Sequence, residues 1–220
     1  MKLFETDNQI FSYDIKTLLE KEDQAHLLIG DKSKGYILQT LETSKHRDLA
    51  SISSHTMSDL LNGKYENEVE KVIIIDARYP YEFEGGHIVS ALNLYLKDQV
   101  FDYLFKEIQQ VKDNSKRLLV VFHCEFSSER GPRLMREIRE RDRSLNKHSY
   151  PNLFYPELYL LEGGYKDFYQ SYSDNCFPKS YKPMLHDDHR NDLKFFRKKS
   201  KSWDNETRRV KLSKVKFLDF

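Results

Sequence analysis

Two runs of consecutive apolar residues, Val72–Ile75 and Leu118–Phe122, constrain this 220-residue chain more than any other feature. An apolar run without alternation is typical of a strand that is covered on both faces of a parallel sheet. Helical patterns follow the runs at Lys97–Val111 and Ser128–Arg143, and Leu158–Tyr172 then gives a strand, a Gly-Gly turn and a helix. This alternation predicts an α/β fold with an open parallel sheet, helices on both faces, and a site at the carboxyl ends of the strands.

Three earlier segments complete the predicted elements. Gly35–Leu41 has the β-branched and aromatic content of a strand. Ser53–Gly63 begins with capping residues and ends in Asn-Gly, which predicts a helix with a terminal stop. A short helix is predicted over residues 12–23.

Composition narrows the class of protein. The two cysteines, Cys124 and Cys176, are too few for a disulfide scaffold or a four-cysteine metal site, and residues 1–14 lack the apolar core of a signal peptide. No run approaches the roughly 20 apolar residues of a membrane helix. We therefore expect an intracellular protein with no membrane segment, no metal and no cofactor.

The charge of the chain is unevenly distributed. Residues 189–217 carry eleven lysines and arginines against three acidic residues, a net charge of +8, whereas the whole chain carries +1. Such a tail fits an acidic partner, nucleic acid or a nuclear import signal at Arg197–Lys201, and equally fits a solvated, partly disordered segment. We expect the partner to be a protein and not nucleic acid.

The stretch CEFSSER, Cys124 to Arg130, lies between the second apolar strand and a helix. A loop in that place can turn its N–H groups toward one point, where they bind an oxyanion. The same N–H groups, the helix N-terminus and a guanidinium favour the anion of a thiol, so Cys124 is the predicted nucleophile. Arg130 can hold two oxygens of a phosphoryl group with its planar fork, and Ser127 and Ser128 can add hydroxyl donors.

A cysteine that follows a strand is, taken alone, more often an inert buried thiol. The combination of strand, Cys-x5-Arg and helix favours the catalytic interpretation. His123 precedes Cys124, and adjacent side chains on a strand point to opposite faces. We therefore expect His123 to orient the loop and not to form a Cys-His pair.

Four stretches of the sequence closely resemble the M-phase inducer phosphatases, the cell-division-cycle dual-specificity phosphatases with a rhodanese-like fold. These stretches are IIDARYPYEFEGGHI (Ile74–Ile88), VVFHCEFSSERGPR (Val120–Arg133), YPELYLLEGGYKDFY (Tyr155–Tyr169) and SYKPM (Ser180–Met184). The likeness extends over roughly Leu28–Lys199. It predicts an N-terminal extension over residues 1–27, a rhodanese-like catalytic domain over residues 28–199, and a basic tail over residues 200–220.

The resemblance implies a function and a mechanism. Cys124 would attack phosphorus and form a phosphocysteine, which water then hydrolyses. Arg130 and the amides of the loop would bind the phosphate oxygens; the loop residues are Glu125, Phe126, Ser127, Ser128, Glu129 and Arg130. The implied substrates are phosphotyrosine and phosphothreonine of a cyclin-dependent kinase–cyclin complex, so the enzyme would promote mitotic entry as a monomer in nucleus and cytoplasm.

The acid that protonates the leaving group is less well defined by the sequence. Glu125 is the preferred candidate because of its reach, and Glu129 is expected to orient the loop or Arg130. Asp76, beside Arg78, is expected to be structural. Turn and packing roles are expected for Glu82, Glu84, Gly85, Gly86 and His87.

A second surface is predicted on the helix after the loop. At about 100° per residue, Leu134, Ile138 and Leu145 fall on one side, and Arg136, Arg139 and Arg143 on roughly the opposite side. This basic side can be a solvated face or a docking surface. The resemblance implies docking of the kinase through Arg139 and Arg143, and through Tyr150 if an insertion near His148 is allowed.

One position departs from the family pattern. Many relatives have a cysteine that can trap the oxidised nucleophile as a disulfide, and here that position is Ala77. Nothing in the sequence brings Cys176 near Cys124, so its redox role stays open. We expect peroxide to oxidise Cys124 irreversibly more readily than in a two-cysteine relative, and recovery with dithiothreitol would contradict this.

Three other functions remain open. A sulfurtransferase on the same fold carries a loop one residue shorter, so the Cys-x5-Arg spacing argues against it. An arsenate reductase can use the same cradle, and only the residues inside and beside the loop argue against it. A non-catalytic module that docks a phosphoprotein is disfavoured because both Cys124 and Arg130 are present.

Overall fold

A five-stranded parallel sheet forms the centre of the protein in the computed structural model, which describes residues 35–106, 108 and 115–200. Its strands lie in the order β1, β6, β5, β2, β4, and every neighbouring pair is parallel. They are β1 (Ser51–Ile52), β2 (Val69–Asp76), β4 (Ala91–Asn93), β5 (Arg117–His123) and β6 (Glu157–Leu161). A separate antiparallel pair is formed by β3 (His87–Ile88) and β7 (Cys176–Phe177).

Helices connect the strands. They are α1 (Ser54–Leu61), α2 (Pro80–Glu84), α3 (Lys97–Phe101), which continues into a π-helical turn at Asp102–Lys106, α4 (Arg130–Leu145) and α5 (Gly164–Tyr172). Residues 190–200 are also helical. None of the helices within the described residues is both long enough and apolar enough to cross a membrane.

The two faces of the sheet bury separate apolar cores. Side chains of β2 alternate between them: Ile73 and Ile75 pack with α3 and α4, whereas Ile74 packs with α1 and α5. Each fully buried isoleucine contributes about 1.5–3 kcal/mol relative to exposure. The prediction of an open parallel sheet with helices on both faces is therefore confirmed, and both apolar runs lie in its central strands.

The local predictions had mixed outcomes. The helix at Ser53–Gly63 is confirmed as α1, with the Ser53 hydroxyl accepting from the Thr56 N–H at 3.0 Å. The helix at Lys97–Val111 begins where expected, but its α-helical part ends at Phe101. The predicted helix at residues 12–23 lies outside the described residues.

The predicted strand at Gly35–Leu41 is wrong. This segment is irregular because side chains take its main-chain donors: Glu157 accepts from the N–H of Ile37 at 3.0 Å, and the Tyr159 hydroxyl accepts from Leu38 at 3.2 Å. Residues 1–27, nearly all of 200–220 and both predicted domain boundaries lie outside or at the edge of the described residues. The domain limits remain predictions.

Candidate active site

The loop from Cys124 to Glu129 leaves the end of β5 and turns directly into α4. Two glycines allow the neighbouring helices to approach it. A side chain at Gly131 would begin 3.2 Å from the main chain of His123, and one at Gly164, whose φ is +65°, would begin 2.5 Å from the carbonyl oxygen of Cys124. The N-termini of α4 and α5 therefore both lie against the loop, which buries Cys124 to 3% exposure.

The carbonyl groups of the loop are bound from outside. The Cys124 oxygen accepts from the N–H of Tyr165 at 2.9 Å, and the Glu125 oxygen accepts from the N–H of Lys166 at 3.1 Å. The Ser127 oxygen lies 3.2 Å from Nε2 of His46. In a planar trans peptide the next residue's N–H points opposite to the carbonyl, so these three bonds turn N–H groups inward.

Those N–H groups are unpaired within the part of the chain that the structure describes: no protein acceptor binds the N–H groups of residues 125–129. The buried Ser127 hydroxyl also has no hydrogen-bond partner among the described residues. Successive free N–H groups beside a helix N-terminus form an anion-binding nest. The CEFSSER stretch predicts such a nest, and the binding of phosphate in it stays a prediction.

A cleft of about 770 Å³ opens over the loop. Its lining is basic, because four arginines contribute to it beside the loop residues. The lining residues are Tyr79, Cys124, Glu125, Phe126, Ser128, Glu129, Arg130, Arg133, Arg136, Met184, Arg197 and Ser200. The cleft thus brings the predicted nucleophile and the predicted phosphate-binding arginine to one place.

Arg130 makes a two-point ion pair with Glu82. Its Nη1 and Nη2 donate to the two carboxylate oxygens at 2.5 and 3.0 Å, and its guanidinium lies 4.9 Å from the ring centre of Tyr79. Glu82 also accepts from the N–H of Tyr79 at 2.9 Å and is fully buried. Our assignment of Glu82 to turn and packing chemistry was incomplete, since this carboxylate sets the position of Arg130.

The pair sets the charge state of both groups. Burial raises the pKa of Glu82 above its ordinary value, against the opposing effect of Arg130. Burial alone would lower the pKa of Arg130, but its hydrogen bonds and attraction to Glu82 outweigh this and raise the pKa. Arg130 is therefore a permanent cation beside Cys124.

Glu125, the preferred candidate for the acid, lines the cleft, and both of its carboxylate oxygens have hydrogen-bond donors. One carboxylate oxygen accepts from the Tyr181 hydroxyl at 2.5 Å, and the N–H of Met184 lies 3.3 and 3.4 Å from the two oxygens. Burial and the neighbouring Glu125 raise the pKa of Tyr181, so this hydroxyl remains a donor. Glu125 thus attaches the loop to residues 181–184.

The remaining loop side chains are more accessible. Glu129 is exposed and immediately precedes α4, and Phe126 is exposed at the tip of the loop with the Lys166 ammonium 5.3 Å from its ring centre. Glu129 was expected to orient the loop or Arg130, and the carboxylate that binds Arg130 is that of Glu82. Ser128 is half-buried in the wall of the cleft.

A buried ionic cluster supports the loop from below. Arg78 binds both oxygens of Asp76 and also donates to the carbonyls of Glu82 and Gly86. His123 stacks on Tyr165, on the face of the sheet opposite to Cys124, as expected. Burial opposes the ionised form of Asp76, but the attraction of Arg78 prevails and lowers its pKa.

The structure contradicts the placement of Arg139 on the predicted docking face of α4, and docking through Arg143 and Tyr150 stays a prediction. Arg139 is 1% exposed, donates to the Pro156 carbonyl at 2.8 Å and lies 3.5 Å from Asp142, so it is not on the outer surface. Arg143 is half-buried, and Tyr150 is 56% exposed. Leu145, expected on the apolar side, is exposed because it is the last residue of the helix.

The two cysteines lie on opposite faces of the sheet. Cys124 belongs to the core that packs against α3 and α4, and Cys176 belongs to the other core, with its sulfur 3.7 Å from the Tyr172 carbonyl. Ala77 continues β2 and packs in the same core as Cys124. A cysteine at position 77, and not Cys176, would therefore be the neighbour of the nucleophile.

Sequence reasoning missed three residues that hold the site: Glu82, Tyr181 and His46. Each is separated from its partner in the loop by 48 to 81 positions. Only Glu82 gave a local signal, since an acid three residues after Tyr79 and following Pro80 is typical of a helix start. Within the described residues, no group of three or more His, Cys, Asp or Glu side chains has a metal-binding arrangement.

Comparison with known proteins places this geometry in a family. The rhodanese-like domain family matches residues 57–171. Human M-phase inducer phosphatase 1 is 52% identical over 192 residues, which cover 87% of this chain and 36% of the relative. Human M-phase inducer phosphatase 2 is 48% identical over 199 residues, which cover 90% of this chain and 33% of the relative.

The chain thus spans about a third of the length of the curated relatives that it matches. Among solved structures, a yeast protein tyrosine phosphatase of the rhodanese family matches with a TM-score of 0.39 and 21% identity, covering 61% of this chain and 94% of the yeast chain. That structural likeness is too distant to support a functional argument.

Proposed function

The chain belongs to the rhodanese-like domain family and, within it, to the M-phase inducer phosphatases, and from this premise we propose that it is a cysteine-based dual-specificity protein phosphatase. One observation carries the proposal: a seven-residue loop brings a buried thiol, inward N–H groups and a permanent guanidinium to one cleft. This set of groups can bind a phosphate ester and supply its nucleophile.

The first chemical step is attack of the Cys124 thiolate on phosphorus. A sulfur–phosphorus bond forms, the phosphorus–oxygen bond of the ester breaks, and its electron pair leaves with the tyrosine or threonine oxygen. The inward N–H groups of Glu125, Phe126 and Ser128 bind the equatorial oxygens, whose charge the transition state spreads.

Arg130 can exchange partners during binding. In the free enzyme both of its Nη atoms donate to Glu82, so a phosphate that takes the fork of Arg130 displaces the carboxylate. A two-point guanidinium–phosphate pair then replaces a two-point guanidinium–carboxylate pair. Glu82 thereby keeps Arg130 close to its working position before the substrate arrives.

Glu129 is the carboxyl group that we assign to the leaving oxygen. It is exposed in the lining of the cleft, whereas the oxygens of Glu125 already accept bonds from Tyr181 and Met184. Protonated Glu129 gives its proton to the leaving oxygen and then, as a carboxylate, accepts one from the water that cleaves the sulfur–phosphorus bond. The products are inorganic phosphate and the regenerated thiolate.

A cyclin-dependent kinase phosphorylated on threonine and tyrosine is the proposed substrate, with mitotic entry in nucleus and cytoplasm as the setting. Docking would use Arg143, about 20 Å along α4 from Arg130 at 1.5 Å per residue, and Tyr150, which follows that helix in the chain. Buried Arg139 would act indirectly, because its bond to the Pro156 carbonyl fixes the segment that carries Tyr150.

The test compares wild type with Cys124→Ser on an aryl phosphate and on the doubly phosphorylated kinase–cyclin complex. We expect turnover of both by wild type and of neither by the variant. Wild type that hydrolyses neither substrate but turns over thiosulfate, or reduces arsenate with a thiol, would overturn the proposal in favour of another activity on this fold.

Docking is tested separately with Arg143→Ala. We expect activity on the kinase complex to fall about tenfold, as loss of roughly 1.4 kcal/mol of binding produces, while the aryl phosphate is unaffected. Exposed Arg141→Ala on the same helix is the matched control. Equal losses on both substrates would contradict docking through this residue.

A further inference from the structure

We propose that His46 is a positioning residue for the phosphate loop. By binding the Ser127 carbonyl, His46 orients the Ser128 N–H toward the phosphate. The inference rests on the proposed phosphatase function and adds to it a residue outside the loop and outside the cleft. His46 lies in the irregular segment before β1, 81 positions before Ser127, and its Nε2 is 3.2 Å from the Ser127 oxygen.

The loop carbonyls show why this contact is unusual. The Cys124 and Glu125 oxygens are held by main-chain N–H groups of Tyr165 and Lys166, which α5 fixes. The Ser127 oxygen is held by a side chain, and within the described residues His46 is its only protein donor. One of the three inward N–H groups therefore depends on a single replaceable side chain.

The backbone at Ser127 makes that dependence stronger. Its φ is +48°, in the left-handed region that residues with a Cβ rarely adopt. Such a conformation costs of order 1–3 kcal/mol and persists only where the surroundings enforce it. Without the bond from His46, no protein donor among the described residues holds the Ser127 carbonyl outward, so rotation of the Ser127–Ser128 peptide about ψ of Ser127 can turn the Ser128 N–H away from the cleft.

The neighbours of His46 define its hydrogen-bonding state. Arg136 Nη2 lies 3.4 Å from Nδ1, and since a guanidinium only donates, Nδ1 must accept. The neutral ring then carries its proton on Nε2, the atom that faces the Ser127 carbonyl. The ring is thus a donor toward the loop and an acceptor toward Arg136.

Asp48 holds Arg136 in this arrangement. Its oxygens accept from Nε and Nη2 of Arg136 at 2.6 and 2.7 Å, and these bonds lower the pKa of Asp48. The chain of contacts runs from Asp48 through Arg136 and His46 to Ser127. These contacts link the segment before β1 to the first turns of α4 and to the phosphate loop, which precedes α4.

His46 does not belong to the cleft lining, so its effect on catalysis must pass through the loop. A merely structural role would lower stability without changing oxyanion binding in the folded protein. A positioning role changes both the turnover number and the affinity for a tetrahedral oxyanion. This difference is what the experiment measures.

The experiment compares His46→Ala and His46→Gln with wild type on an aryl phosphate, with tungstate binding measured by calorimetry and thermal stability measured in parallel. We expect His46→Ala to lower kcat about 10- to 100-fold, the range that a misplaced group can cost, and to weaken tungstate binding. His46→Gln, whose amide N–H can reach the same carbonyl, should restore most of both.

Exposed Arg47→Ala, beside His46 in the chain, is the matched control and should behave as wild type. Wild-type kcat and tungstate affinity in His46→Ala would overturn the proposal. Equal impairment of both His46 variants with a lowered melting temperature would also overturn it, in favour of packing. A wild type without phosphatase activity that still binds tungstate in a His46-dependent way would instead refute the proposed function alone.

Discussion

Two arginine–carboxylate pairs lie at the same end of the sheet, with similar distances and different surroundings: Arg78 donates through Nε and Nη2, and Arg130 through Nη1 and Nη2. Arg78 binds Asp76 at 2.6 and 3.0 Å, and Arg130 binds Glu82 at 2.5 and 3.0 Å. Both members of the first pair have fully buried side chains, whereas the Arg130 side chain is 18% exposed. Only the second pair borders the cleft.

The two arginines differ in their hydrogen-bond partners and in their access to the cleft. Arg78 donates from all three of its nitrogens, to Asp76 and to two carbonyls, and its guanidinium lies 3.9 Å from the centre of the Tyr165 ring. Arg130 binds the Glu82 carboxylate, lies over the face of Tyr79 and 4.0 Å from a Glu125 oxygen, and borders the cleft. A buried pair of this kind maintains the fold, while a pair at a cleft can exchange its carboxylate for a phosphate.

The largest expected effect is on stability, from Arg78→Met. Removal of the guanidinium leaves Asp76 buried without its cation, so the free energy of unfolding in urea should fall by about 3–5 kcal/mol. Arg130→Met should lose less, because the cleft admits water to the Glu82 carboxylate that remains. Equal losses from the two substitutions would remove the distinction between the pairs.

The second effect is on catalysis, from Arg130→Lys. An ammonium cannot donate two parallel bonds to a phosphoryl group, so we expect kcat/KM for an aryl phosphate to fall about 10²- to 10³-fold. Arg141→Lys, on an exposed position of the same helix, serves as the matched control. Full activity in Arg130→Lys would mean that only a positive charge is needed there.

A third, smaller effect tests the exchange itself. Glu82→Gln keeps an acceptor for the Tyr79 N–H but no longer competes for Arg130 as an anion, so tungstate should bind about tenfold more tightly, a gain of roughly 1.4 kcal/mol. Exposed Glu84→Gln should leave the affinity unchanged. Weaker binding of tungstate in Glu82→Gln would contradict the exchange, because it would show that Glu82 and the oxyanion bind Arg130 at the same time.

The smallest effect concerns pH. The folded-state pKa of Glu82 is raised, so wild type should lose stability relative to Glu82→Gln as the pH rises above the unfolded value of about 4.3. The folded-state pKa of Asp76 is lowered, so its contribution is complete above about pH 3.9 and is lost only on further acidification. Urea unfolding at several pH values checks these opposite signs.

Much of this architecture is visible in local sequence patterns. The runs at Val72–Ile75 and Leu118–Phe122 and the CEFSSER stretch predict the central strands and the loop, because periodicity and turn chemistry are local properties. The prediction of a strand at Gly35–Leu41 was wrong because Glu157 and Tyr159, more than 100 residues away, bind N–H groups of this segment.

The supports of the site could not be predicted in the same way. Glu82 and His46 reach the loop only after the parallel sheet brings distant segments together, and no residue near them in the chain indicates their partners. Arg139 was assigned to the wrong surface. Helical periodicity shows which residues share a face of the helix, but it does not show that the segment after α4 covers the face with Arg139.

The central claim is that Cys124 attacks phosphorus with Arg130 beside it. The most direct measurement mixes wild type with a phosphorylated substrate, quenches the reaction within its first turnover, and locates the phosphate by peptide mass spectrometry. The account predicts phosphate on the Cys124 sulfur in wild type and none in Cys124→Ser. Phosphate on another residue, or unchanged turnover by Cys124→Ser, would contradict it.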